Sequence, residues 1–172
     1  MRTLLPDPPP PPFERLLAER ERWGADRRDE VWEGVLHISP PASHEHEQIV
    51  VELVLVLAPA AKAAGLQLTG AVAIGDQDDY RVPDLAVHRP GASAQWHPTA
   101  ALAVEVLSLN DETWQKLDFY AAHAVDELVI VDGGARTINW RALNQGAYAP
   151  VKRSSVLDLS ADQLVRRIDW PA

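Results

Sequence analysis

The chain has no cysteine. That removes structural disulfides, thiolate metal sites and a cysteine nucleophile from consideration. Its opening, Met1-Arg2-Thr3-Leu4-Leu5-Pro6, lacks a long apolar segment, so neither a signal peptide nor a membrane span is expected. The expected compartment is the cytoplasm, with no membrane partner. No glycine-rich phosphate loop, Gly-x-Ser-x-Gly elbow or dinucleotide fingerprint is present. Positive charge is also short: 16 Lys and Arg stand against 25 Asp and Glu, a formal net charge of -9. That sign argues against broad, non-specific binding to nucleic acid, although it leaves room for a local groove. The basic clusters (Arg20 and Arg22, Arg27-Arg28, Lys152-Arg153, Arg166-Arg167) read as solvated surface charge.

What the chain does have is enough apolar residue, 47% of 172, for one domain with a packed core. Residues 1–12 read as a proline-rich arm, with polyproline II or disorder over 6–12, and residues 13–172 as a single domain without internal repeat. Phe13 to Trp23 has helical spacing, and 30–39 reads as two short strands around Gly34. A long helix is expected over 44–64, with Ser43 as its N-cap and Gly65 as its stop. Its apolar stripe carries His46, Ile49, Val50, Leu53, Val56, Leu57 and Ala60. Strands follow at 66–74 and 84–88, a Pro/Gly/Ser loop at 89–98, and a strand at 100–107. Asn110, Asp111 and Glu112 open a second helix running to about His123, acidic residues in a first turn suiting the helix dipole. A strand at 126–132 and a closing pair at 137–143 and 148–151 complete the sheet. Ser160 and Gln163 form a capping box for a last short helix. The mixture places the chain in the α/β or α+β class.

Three residues stand out against this pattern. Glu105 interrupts the apolar run Ala100 to Leu107, and its same-face neighbours 103 and 107 are apolar, so ordinary half-buried alternation does not account for it. A carboxylate inside such a strand is costly unless paired or bound to a metal. Asp84 follows Pro83 and opens a second apolar strand. Lys116 lies on the shoulder of the following helix, over the C-terminal end of the Glu105 strand, the edge where open α/β sheets carry their sites. Each has a blander reading: a strand-opening Pro-Asp pair, an edge carboxylate facing water, a solvated helix lysine. His46 is a candidate for the same site, although a histidine on an apolar stripe is more often a satisfied core residue. Glu33 offers a further carboxylate.

Beyond these residues, the sequence between about 28 and 150 resembles a known family. Asp29-Glu30-Val31-Trp32-Glu33-Gly34-Val35-Leu36, then Ser39-Pro40-Pro41 and His46-Glu47-Gln48-Ile49-Val50, is similar to the opening of the Uma2 family (DUF820), a branch of the PD-(D/E)XK nuclease superfamily. Arg81-Val82-Pro83-Asp84-Leu85-Ala86-Val87 resembles its Pro-Asp strand. Glu105-Val106-Leu107-Ser108, Asn110-Asp111-Glu112-Thr113, Lys116-Leu117, Tyr120 and Val129-Ile130-Val131-Asp132 resemble its most specific stretch. The chain departs from the pattern at Leu109, where the family has proline, and at Val35, where many members carry glutamate. The resemblance implies a restriction-endonuclease-like fold, a mixed central β-sheet flanked by helices. It implies an endonuclease acting on DNA, in which Asp84 and Glu105 hold Mg²⁺ or Mn²⁺ with a main-chain carbonyl near Val106. Leu107 stands where the wider superfamily has its lysine, and Lys116 would take that place from the helix. A homodimer, with Trp32, Trp96 and Trp140 as contact surface, is the expected assembly. A non-catalytic member of the fold, binding DNA or protein, is the alternative.

Overall fold

A computed structural model describes residues 3–5, 11–91, 95–108 and 112–172. In chain order the elements are β1 (Thr3–Leu5), α1 (Pro11–Trp23), β2 (Glu30–Trp32), β3 (Val35–Ile38), α2 (His44–Ala63), β4 (Gln67–Thr69), β5 (Ala73–Gly75), β6 (Tyr80–Arg81), β7 (Leu85–His88), β8 (Trp96–His97) and β9 (Leu102–Val106). A 3-10 turn (Thr113–Lys116) then runs into α3 (Leu117–Ala122), followed by β10 (Glu127–Asp132), β11 (Thr137–Asn144), β12 (Ala147–Pro150) and α4 (Ala161–Arg167).

The strands form two sheets. The larger has the order β12-β11-β10-β9-β7-β4. Within it β9 and β10 run parallel and the other neighbours antiparallel. The parallel pair requires a crossover, supplied by the 3-10 turn and α3. Residues of β9 alternate between two cores, as a strand's period of two dictates. Leu102, Val104 and Val106 pack with Ile49, Leu53 and Leu57 of α2. Ala103 faces the other way, into a smaller cluster with Phe119, Tyr120 and Leu128. Glu105 shares that second face by parity. The mixed α/β architecture expected from the sequence is therefore present.

The smaller sheet has the order β1-β3-β2-β6-β5-β8. Its β2–β3 hairpin turns through Glu33 and Gly34, both at positive φ (49° and 80°), the backbone that two-residue hairpin loops require. Ser43 caps α2 by accepting the His46 N–H at 3.2 Å, and Ser160 and Gln163 form the capping box of α4.

Several expectations need correction. The strand anticipated over 66–74 is two short strands in different sheets, β4 and β5, which no local pattern distinguishes. The loop at 89–98 contributes β8, held by parallel pairing with β5. The helix expected to start at 110 is a 3-10 turn for its first described residues, and Asn110 and Asp111 lie outside the described residues, as do Pro6 to Pro10 of the N-terminal arm. Pro11 and Pro12 open α1, where the first turn tolerates proline. Trp140 is 1% exposed and donates its Nε1–H to Glu127 at 2.8 Å, so it is core, not contact surface. Trp32 and Trp96 are half-buried, whereas Trp23 and Trp114 are the exposed tryptophans. Among the described residues no helix is long and apolar enough to cross a membrane.

Candidate active site

Antiparallel pairing of β7 with β9 sets Leu85 opposite Val104. One step further along that register, Asp84 lies opposite Glu105 at the end of both strands. Asp84 is 9% exposed. Its Oδ2 accepts the Val106 N–H at 2.8 Å and lies 3.3 Å from His46 Nε2, while its Oδ1 accepts from Arg28 Nη1 at 2.8 Å. Burial alone would raise the pKa of this carboxyl. The bond to and charge of His46, the Val106 N–H and Arg28 together hold it below the ordinary aspartate value. The reciprocal effect raises His46: burial disfavours its charged form, but contact with Asp84 outweighs burial. The other ring nitrogen, Nδ1, is buried without a hydrogen-bond partner among the described residues.

Glu105 is enclosed on the α3 face. Its Oε1 accepts from Lys116 Nζ at 2.9 Å and from the Tyr120 hydroxyl at 2.6 Å. Burial pushes its pKa up to about 7; Lys116 opposes that, Asp84 and Glu30 add to it, and the Tyr120 bond opposes it. Lys116 is 2% exposed, which removes the solvated-lysine reading. The 3-10 turn carries its ammonium between two carboxylates, Glu105 and Glu30, the latter at 2.8 Å.

Glu30 is the residue that the sequence reading missed in favour of Glu33. Glu33 is exposed in the hairpin turn and gives its N–H to Asp79. Glu30, by contrast, is 1% exposed and fully engaged. Its Oε1 also accepts the Val82 N–H at 3.0 Å, and its Oε2 accepts the Trp32 indole N–H at 2.7 Å. Its signal in the sequence was slight: a carboxylate opening a strand with Val31 and Trp32. Tyr120 was visible only as part of a buried stripe.

These groups line a cleft of about 750 Å³. Arg28, Glu30, His46, Asp84, Glu105 and Lys116 all contribute to its wall, together with the 39–43 loop, Leu107-Ser108, Gly133-Gly134 and the segment Pro171-Ala172. The structure thus brings all four sequence-nominated side chains, Asp84, Glu105, Lys116 and His46, to one place. Val106 joins them through its N–H on Asp84.

The donor chemistry suits a hard divalent cation. Two carboxylates at adjoining strand ends are the oxygen ligands that Mg²⁺ and Mn²⁺ take, with water completing the shell. Burial first, and then the neighbouring acids Asp84 and Glu30, raise the Glu105 pKa against the pull of Lys116. Among the described residues no group of three or more His, Asp or Glu side chains is arranged to hold an ion, so protein ligands alone would not fill the coordination sphere.

Three comparisons bear on this site. The family model Uma2, described as "Putative restriction endonuclease", matches residues 12–167. A crystal structure from Anabaena variabilis ATCC 29413, described as "a putative nuclease belonging to DUF820", superposes with a TM-score of 0.65 at 18% identity, covering 81% of this chain and 90% of that one. A looser match, TM-score 0.39 at 13% identity, covers 72% of this chain and 13% of a chain in a DrdV–DNA complex solved by cryo-electron microscopy. The search of curated proteins gave no match.

Proposed function

The chain belongs to the Uma2 family, and from that premise we propose that it is a divalent-metal-dependent endonuclease hydrolysing phosphodiester bonds of DNA. The observation that carries the proposal is the buried lysine between two carboxylates, one of them facing Asp84 across adjoining strand ends in an open cleft. A surface ion pair is worth little and tolerates drift. A buried one is expensive to build and fixes an ammonium within hydrogen-bond reach of Glu105.

In this mechanism Asp84 and Glu105 would hold Mg²⁺ or Mn²⁺. When bound, the ion supplies a Lewis acid for the phosphate and lowers the pKa of an attacking water. Lys116 presents a positive charge at a fixed position to the charge that develops on the phosphate. Tied to two carboxylates, that group serves in orientation and electrostatic stabilisation. Tyr120 holds the Glu105 carboxylate in one orientation, and Glu30 does the same for Lys116. His46, anchored on Asp84, positions a phosphate or protonates the leaving oxygen. Cutting both strands calls for two copies, and the exposed Trp23, Leu16, Val51, Leu55 and Trp114 are the apolar surface available for a homodimer.

The test is a plasmid-nicking assay with Mn²⁺ on the wild type and on Asp84→Ala and Glu105→Ala. The wild type is expected to nick and both variants to lose nicking by a factor of about 10² or more while keeping the wild-type circular dichroism. Undiminished nicking by a folded Glu105→Ala protein would overturn the assignment. A second reading, a non-catalytic interaction module, is favoured by the net charge of -9. It predicts no nicking and no Mn²⁺ uptake with or without DNA.

A further inference from the structure

Arg28 has no place in the mechanism above, yet it lies in the cleft. Its guanidinium forks: Nη1 bonds Asp84 Oδ1 at 2.8 Å, and Nη2 pairs with Glu47 Oε1 at 3.1 Å. The side chain is still one-third exposed (33%). Two features separate this contact from an ordinary structural ion pair. Asp84 is anchored without it, because the Val106 N–H and His46 both engage Oδ2. Among the described residues Arg28 is the one partner of Oδ1, so it covers the carboxylate oxygen that the main chain leaves accessible. Glu47, on the exposed first turn of α2, gives the guanidinium a second anchor that does not depend on Asp84.

A guanidinium and a divalent cation compete for one carboxylate oxygen, since each is attracted by the same charge and repelled by the other. Of all side chains, arginine is the one whose planar fork fits both a carboxylate and a phosphate. We propose that Arg28 is a placeholder cation: it neutralises Asp84 in the ion-free protein, yields Oδ1 to the divalent ion, and turns, still tethered by Glu47, onto a phosphate of the DNA backbone entering the cleft. The proposal rests on the metal-dependent nuclease reading and adds to it a coupling between ion loading and substrate grip. Binding of the ion would free a phosphate-seeking group at the mouth of the same cleft.

The experiment is calorimetric titration of the full chain with Mn²⁺ alone, comparing the wild type with Arg28→Gln, Arg28→Lys and Asp84→Ala. Removing the competing charge should tighten Mn²⁺ binding about five- to tenfold in Arg28→Gln. Arg28→Lys, which keeps the charge but cannot fork, should fall between that variant and the wild type. A residue of merely structural importance would weaken ion binding when replaced, not strengthen it. The second measurement is anisotropy of a fluorescein-labelled DNA duplex in Ca²⁺ across a salt series. Arg28→Gln should bind more weakly, and the slope of log affinity against log salt should fall by about one. If the wild type takes up no Mn²⁺, or Asp84→Ala takes it up equally well, the metal reading fails and the placeholder with it. If Asp84 is required but Arg28→Gln binds Mn²⁺ no more tightly than the wild type, the placeholder alone is overturned. An unchanged duplex affinity and salt slope would overturn the handover to phosphate.

Discussion

Lys116 shows how a single side chain can organise a site. Its ammonium bridges Glu30 and Glu105, all three being nearly inaccessible to water. Removing one member of a buried ion pair leaves its partners charged and unpaired, at a cost of about 3–5 kcal/mol. Lys116→Ala is therefore expected to lower the free energy of unfolding in urea by that amount at neutral pH. Adding Glu30→Gln to the same chain should recover part of the loss, because one stranded carboxylate then becomes neutral. Additive losses in the double variant would refute the bridging role. At this scale the sequence was legible where chemistry clashed with context. An acid inside the apolar run 100–107 announced itself, and so did an aspartate after Pro83. Glu30 did not, because the residue that makes it necessary lies 86 positions away. Arg28 was equally hidden, since within Arg27-Arg28 nothing local tells a cleft arginine from a solvated one.

At the level of elements, α2 is the scaffold on which the cleft hangs. Its N-terminal turn delivers His46 to Asp84, and its next inward residue, Ile49, touches the β10–β11 turn. A methyl group added at Gly133 would stand 2.5 Å from Ile49 Cδ1. Ile49 is 4% exposed, so its Cδ1 would have to shift among packed neighbours. Gly133→Ala is expected to destabilise the protein by about 1–3 kcal/mol through overpacking. Ile49→Val, which removes that Cδ1 and alone costs about 1 kcal/mol, should relieve the clash. The double variant should thus be more stable than the sum of the singles implies, a coupling measurable by thermal or urea unfolding. Elements with local chemistry of their own were readable: α2 from its stripe and Ser43, α4 from its capping box, the β2–β3 hairpin from Gly34. Two- and three-residue strands such as β6 and β8 were not. They exist because neighbouring backbone presents unpaired groups, which is information from the tertiary structure.

The whole molecule has a second buried polar feature, far from the cleft in its chemistry. His88 at the end of β7 and His97 in β8 lie with ring centroids 4.2 Å apart and planes tilted by 32°, and His88 Nε2 is buried without a partner among the described residues. Burial, reinforced by His97, brings the His88 pKa down from 6.5 to about 4. The unfolded chain therefore binds a proton at His88 over a pH range in which the folded chain does not. Linkage then makes stability fall as pH drops from about 6.5 towards 4, with no contribution from this group above that window. His88→Phe keeps a ring against His97 and removes the titration. Urea midpoints across that range should decline less steeply for the variant than for the wild type, and parallel curves would refute the assignment. The pairing of the two histidines, like the division of the strands between two sheets, could not be read from the chain, because it depends on which strands become neighbours. The overall α/β class was readable, since it follows from apolar runs alternating with amphipathic ones.

The bridge from Lys116 to Glu30 has a consequence for the life of the protein. The cleft draws its essential groups from the first residue of β2, the start of α2, two separate strand ends and a turn beyond them. No partially synthesised or locally melted chain can assemble that set. Whatever chemistry the cleft supports is thereby withheld until the tertiary structure is complete, and a damaged or immature copy is without it.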